Sequence, residues 1–210
     1  MIKVYNGTTG KMAGTSHISV ESGDPETCKR CKIGKLCYAK RYQAIRPSVR
    51  KSYSNNGLAV TEKVYETRDL PTVTNFQCRF DAFGEIYDGE RGDIQLTNYV
   101  NIAIKNPRVN FVLWSRNYKK IEKYFTEHNK PDNFRIIRSS AEVDKPVMYI
   151  PNKHIWDGVF NVLSAQYIED NDAKVNCGIK DEYGVKYSCV SCPTGCYHTG
   201  NEVVVFEQVK

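Results

Sequence analysis

The sequence predicts an α/β domain built on a parallel sheet. Three observations point there. The chain has 210 residues, 40% of them hydrophobic, enough to bury one substantial core. Its middle alternates short apolar runs with helical stretches, and the loops between them are a few residues long, as right-handed βαβ units require.

A short strand is expected at Ile2 to Tyr5, followed by a Gly/Ser/Thr-rich loop. The segment Cys28 to Cys37 then opens a helix over Tyr38 to Arg46, which Pro47 kinks or restarts because its ring fixes φ and removes a donor. That helix should run on towards Asn55 and end at Asn56-Gly57, with a second helix over Ala59 to Arg68. Next come a strand at Asn75 to Phe80, a helix at Asp93 to Lys105 capped by Asp93, and a strand at Val109 to Trp114. A helix at Tyr118 to His128 and a strand at Phe134 to Arg138 follow. Val147 to Ile150 and Val159 to Gln166 are further strand candidates, the second also readable as a helix. From Asn176 the pattern becomes a cysteine-rich loop before a last strand, Val203 to Gln208. With no obvious linker, residues 1–175 read as the α/β domain and residues 176–210 as a cysteine-rich metal-binding extension packed on it.

Met1 to Val4 lacks the charged start and apolar run of a signal peptide, and no stretch approaches the ~20 apolar residues of a spanning helix. The expectation is a cytoplasmic protein with no membrane partner. Eight cysteines in a reducing compartment then call for metal binding or catalysis rather than disulfides. The net charge of +6 is unevenly placed: between Thr27 and Thr61 there are nine Lys or Arg residues and no Asp or Glu. A basic segment from Lys29 to Lys51 could engage nucleic acid or a host protein, offset a thiolate cluster, or simply form a solvated helix face.

The cysteines fall into two sets, Cys28-x2-Cys31-x5-Cys37 and Cys177-x11-Cys189-x2-Cys192-x3-Cys196. Each contains a Cys-x-x-Cys pair, whose short loop lets two thiolates converge on one metal. Four cysteines at the C-terminal end could close a tetrahedral zinc site or hold a [4Fe–4S] cluster. The N-terminal three leave one coordination position without a local ligand, which fits a cluster with one open iron. Zinc completed by a distant residue such as Cys78 or His17, and a redox thiol pair, are the alternatives. Cys78 reads as a small core residue and Trp114 likewise as core. His198, beside Cys196, reads as a supporting or surface residue, since four thiolates already suffice.

The stretch Thr27-Cys28-Lys29-Arg30-Cys31 through Leu36-Cys37-Tyr38-Ala39, followed by a basic helix, resembles the start of a family of phage-encoded proteins with a radical-SAM-like cysteine motif. The likeness continues through Arg79 and Gly84 before an acidic loop, Asn106-Pro107 ahead of a strand, and the C-terminal four cysteines. It implies a partial (β/α) barrel, a [4Fe–4S] cluster on Cys28, Cys31 and Cys37, and a second metal site, iron–sulfur or zinc, on Cys177, Cys189, Cys192 and Cys196. S-adenosylmethionine (SAM) enters as a possible co-substrate. The spacing departs from the Cys-x3-Cys-x2-Cys of radical-SAM proteins, a difference that bears on SAM binding more than on the cluster.

In such a barrel, functional groups collect at the C-terminal ends of strands. That places Arg79 and Asp81, Ser115 and Arg116, and Arg138, Ser139 and Ser140 near one mouth, able to orient an anionic or polar ligand. The leading expectation is an iron–sulfur protein, a radical-SAM-like enzyme or redox protein on an unknown substrate. The alternative is a zinc-stabilised phage accessory protein that binds nucleic acid or a host protein through its basic segment.

Overall fold

A computed structural model describes residues 1–209. Its frame is one seven-stranded sheet in strict sequence order: β1 (Tyr5–Asn6), β2 (Ser16–Ile18), β3 (Gln77–Phe80), β4 (Asn110–Ser115), β5 (Phe134–Ser139), β6 (Gly158–Leu163) and β7 (Val203–Gln208). Only β1 runs antiparallel to its neighbour; every pair from β2 to β7 is parallel. The sheet is open, with β1 and β7 as its edges.

Consecutive parallel strands step across the sheet in one direction, so right-handed crossovers put their helices on one face. These are α3 (Pro47–Glu62), α4 (Gly89–Lys105) and α5 (Tyr118–Glu127). They bury Val60, Leu96, Tyr99, Ile102 and Ile121 against Cys78, Phe80, Phe111, Leu113 and Phe134. Phe80 lies between Tyr99 and Phe111, with ring centroids 4.1 and 4.9 Å away, and burying such a ring contributes about 1.5–3 kcal/mol. Alternate strand residues point the other way: Val112, Ile137, Val203 and Val205 pack with Tyr197, Cys177, Cys189 and Cys196. The cysteine-rich segment therefore covers the face opposite the long helices, and the strand that follows it completes the sheet.

Several elements differ from the sequence reading. The first strand is Tyr5–Asn6 rather than Ile2 to Tyr5, and Ser16–Ile18 adds a strand. Helix α3 runs unbroken through Asn56-Gly57 instead of ending there, so no separate helix begins at Ala59. Asn56 is there to bridge Lys3 and Ser19, and a Cβ on Gly57 would meet the Tyr87 hydroxyl at 2.7 Å. Helix α4 starts at Gly89 with Asp88 at its N-cap; Asp93 lies inside the helix and pairs with Lys120 at 2.8 Å. Val147 to Ile150 forms no strand, because the Asn161 side chain takes both the N–H and the carbonyl of Val147. The region Val159 to Gln166 splits into β6 and a short helix α6 (Ala165–Asp170) capped by Ser164. Cys78 sits in the core as expected. No helix among the described residues is long and apolar enough to cross a membrane.

Candidate functional site

The N-terminal cysteines lie in the long connection that leaves β2 at the C-terminal edge of the sheet. It carries a four-residue helix α1 (Glu26–Lys29) and ends in α2 (Tyr38–Ala44). Successive turns carry the chain round: Cys31 N–H donates to Cys28 C=O, Gly34 N–H to Cys31 C=O, and Cys37 N–H to Gly34 C=O. All three thiols are partly buried. Burial pushes the Cys28 thiol up to about 12, and Glu85, Cys37 and Cys31 push it the same way. A group of thiols beside a buried carboxylate gains thiolate character only with a cation among them.

Glu85 was absent from the sequence candidates. Gly84, at φ 96°, turns the chain after β3 where a Cβ would strike Val20 at 2.3 Å. That turn delivers the buried Glu85 carboxylate to Ser115 Oγ at 2.7 Å and to the N–H groups of Arg116 at 2.8 Å and Ile86 at 3.0 Å. Burial raises its pKa against the pull of these donors. The available signal was an acid directly after a glycine at a strand end.

At the second set, Cys177, Cys189, Cys192 and Cys196 line one small cavity together with Lys11, Arg79, Trp114 and Tyr197. Backbone bonds fix two of them: Cys177 N–H to Phe206 C=O at 3.0 Å and Cys189 N–H to Lys11 C=O at 2.7 Å. Burial pushes the Cys196 thiol up to about 12, and Cys177, Cys192 and Cys189 add to it, so all four thiols act on one another. Among the described residues, no three Cys, His, Asp or Glu side chains are drawn tightly enough together to hold a metal ion; the thiols surround a cavity without closing a shell.

Two cations border this cavity. Burial lowers the pKa of Lys11, but Glu207 and Cys177 outweigh it and raise the ammonium above its ordinary value. The Arg79 guanidinium stacks 4.2 Å over Trp114. Arg79 Nε, Trp114 Nε1 and Tyr197 Oη are buried without a hydrogen-bond partner. Each orphaned donor costs about 1–3 kcal/mol, so three around one cavity suit an electron-rich guest such as sulfur-ligated metal. Arg79 also feels Tyr38, the residue after Cys37, as well as Cys189 and Tyr197.

Arg135, on β5, was likewise not foreseen. It is buried and its guanidinium donates to the carbonyls of Gly195, His198, Asn201 and Asp157, tying the last cysteine turn to the sheet. His198 contributes its carbonyl to this clasp.

Of the other sequence candidates, Ser115, Arg116, Arg138, Ser139 and Ser140 stand together at the ends of β4 and β5, whereas Arg79 lines the four-cysteine cavity and Asp81 is drawn away. Asp81 turns towards the helices, where Tyr99 Oη and Gln95 Nε2 donate to it at 2.8 and 3.0 Å, and burial holds its acid well above the usual carboxylate range. It makes no ion pair with Arg79. Ser115 holds Glu85. The Ser139 carbonyl accepts from Tyr118, while Ser140 gives its carbonyl to Arg116 Nε at 2.9 Å and keeps a buried hydroxyl without a partner. Arg138 stacks 4.2 Å over Tyr118. Arg116 lines an open cleft of about 580 Å³ with Thr27, Cys31 and Lys119.

A family model described as Gene product 88 matches residues 3–193. No curated protein and no solved structure matches the chain.

Proposed function

The chain belongs to the Gene product 88 family, whose designation is of phage type, and from that premise we propose that it is an iron–sulfur protein with two unequal centres. The observation that carries the reading is the ring of four thiols around one cavity, bordered by Lys11 and Arg79 and by three orphaned donors. Cys177, Cys189, Cys192 and Cys196 are the proposed ligands of a resident [4Fe–4S] cluster, with zinc as the alternative there. Cys28, Cys31 and Cys37 are the proposed ligands of a second cluster with one open iron.

When bound, such clusters supply one-electron chemistry. The chain's own residues do the rest. Lys11 and Arg79 offset thiolate charge, and Trp114 and Tyr197 offer donors towards sulfur. Arg135 keeps the four-cysteine turn against the sheet. Glu85, fixed by three donors, sets a rigid carboxyl group beside Cys28. The consecutive order of parallel strands is that of an opened (β/α) barrel, which supports a radical-SAM-like enzyme or redox protein; SAM as co-substrate rests on the resemblance alone. Eight free thiols suit a reducing cytoplasm, the host's for a phage protein.

A second reading has its own observation. Of the basic segment, only Arg30, Lys32 and Arg50 meet a carboxylate, leaving Lys29, Lys35, Lys40, Arg41, Arg46 and Lys51 unneutralised among the described residues. That favours a zinc-stabilised protein binding nucleic acid or a host protein. Anaerobic purification with iron, sulfide and zinc analysis separates the two. Iron with matching sulfide and visible absorbance is the expected result; zinc without iron would sink the iron–sulfur reading.

A further inference from the structure

We propose that the open cleft at the C-terminal edge of the sheet binds the phosphodiester backbone of a single-stranded nucleic acid, held by Arg116, Lys119 and Lys123 and running past Cys31. As a phosphate site it stands on its own; only its role as the substrate site of the open-iron centre rests on the iron–sulfur reading.

The cleft is built by connections from four strands: Thr27 to Lys32 after β2, Asp88 and Gly89 after β3, Arg116 to Lys123 after β4, and Ala141 after β5. Loops at this edge of parallel strands are where such folds collect ligands. Six cations line it, against the single acid Asp88. Three are neutralised: Arg30 by Asp88, Lys32 by Glu142 and Lys120 by Asp93, at 2.7–2.8 Å. Arg116, Lys119 and Lys123 pair with no carboxylate among the described residues, and Arg116 spends one N–H on the Ser140 carbonyl.

The arrangement is unfavourable for a helix left alone. Lys119 and Lys123 are exposed and four residues apart, so they share a face and repel by a few tenths of a kcal/mol. Lys119 also lies in the first turn of α5, which holds no acid, and the helix dipole disfavours a cation there. A bound anion reverses both penalties, because Lys119 then adds to the free N–H groups of the first turn and Lys123 stands one turn along the same face.

The observations favour a polymer over a lone phosphate. Along the chain the cleft residues Arg30 and Lys32 are flanked by Lys29, Lys35, Lys40 and Arg41, which meet no carboxylate among the described residues, more positive charge than one phosphate calls for. A cleft of about 580 Å³ takes one nucleotide-sized unit, which suits a single strand threading through.

The test is fluorescence anisotropy of a dye-labelled single-stranded 20-mer with the protein as isolated, at several salt concentrations. K119E/K123E should weaken binding at least about tenfold and shrink the log–log salt slope by about 1.4, the value for two lost contacts to a single strand. The charge-matched control K63E/R108E changes two exposed cations away from the cleft and should alter affinity less than about twofold. Equal losses in both pairs, no binding by the wild type, or displacement by inorganic phosphate at concentrations that spare the salt slope would each overturn the proposal. Metal content measured on the same samples keeps the two readings apart. An iron-loaded protein that ignores the oligonucleotide refutes only the cleft, and a binder without iron refutes only the clusters.

Discussion

The two cysteine sets are alike in being partly buried and differ in what surrounds them. Around the four, Lys11, Arg79, Trp114 and Tyr197 line a small cavity, and Arg135 clasps the turn through three of its backbone carbonyls and that of Asp157. Around the three, the neighbours are a buried acid, Glu85, and an open cleft that Cys31 helps to line. Under the proposed reading, four thiols around one cavity would suit a permanent centre, whereas three beside an open cleft would suit a centre that meets its ligand there.

The strongest way to break that contrast is Arg135→Met, which keeps the stem and removes the clasp. Stability should fall by about 3–5 kcal/mol, as expected for several carbonyls losing a charged donor. Denaturant unfolding reads the loss, and metal analysis should show the C-terminal centre depleted with the N-terminal one retained. Equal depletion of both would erase the distinction.

Acid should act on the other region. His17 stacks on Tyr5 and touches the Phe83 cluster that Tyr38 and Tyr42 join, behind the N-terminal cysteine loop. Burial, then Arg79, lowers its pKa from 6.5 to about 4. Below pH 6.5 the unfolded chain takes up the proton first, so the stability His17 contributes is complete above that pH and is lost as pH falls towards 4, at most about 3 kcal/mol. Hydrogen exchange across this range should loosen the N-terminal loop before the C-terminal one, and His17→Phe should flatten the dependence.

The smallest expected effect is that of Glu85→Gln. Its three donors leave no place for an amide NH2, so about 1–2 kcal/mol should be lost. The change should touch metal at the N-terminal set alone; a loss at the C-terminal set would mean the two are one unit.

What could be read from the sequence was local. The cysteine spacings, the restart at Pro47 and the alternating strands and helices from β3 to β5 each depend on a few neighbouring residues. What was hidden depends on distant partners. Asn56-Gly57 looks like a helix end but is a packing contact with Tyr87, and Val147 to Ile150 looks like a strand but is held by one asparagine. Ser16–Ile18 is too short and polar to stand out, yet it gains a place between β1 and β3. Asp81 sat at the right strand end and turned inward, because Tyr99 and Gln95 lie one helix away. Arg135 stands in the apolar run Phe134 to Ile137 as an oddity, and three of its four partners lie 60 to 66 residues on.

The most direct measurement is iron and sulfide per chain in three anaerobic preparations: wild type, Cys28/Cys31/Cys37→Ser, and Cys177/Cys189/Cys192/Cys196→Ser. Two separate centres predict that each variant loses one share of metal and keeps the other, and that the two shares add up to the wild-type content. Unchanged iron in the N-terminal variant, or zinc in place of iron throughout, would contradict the account.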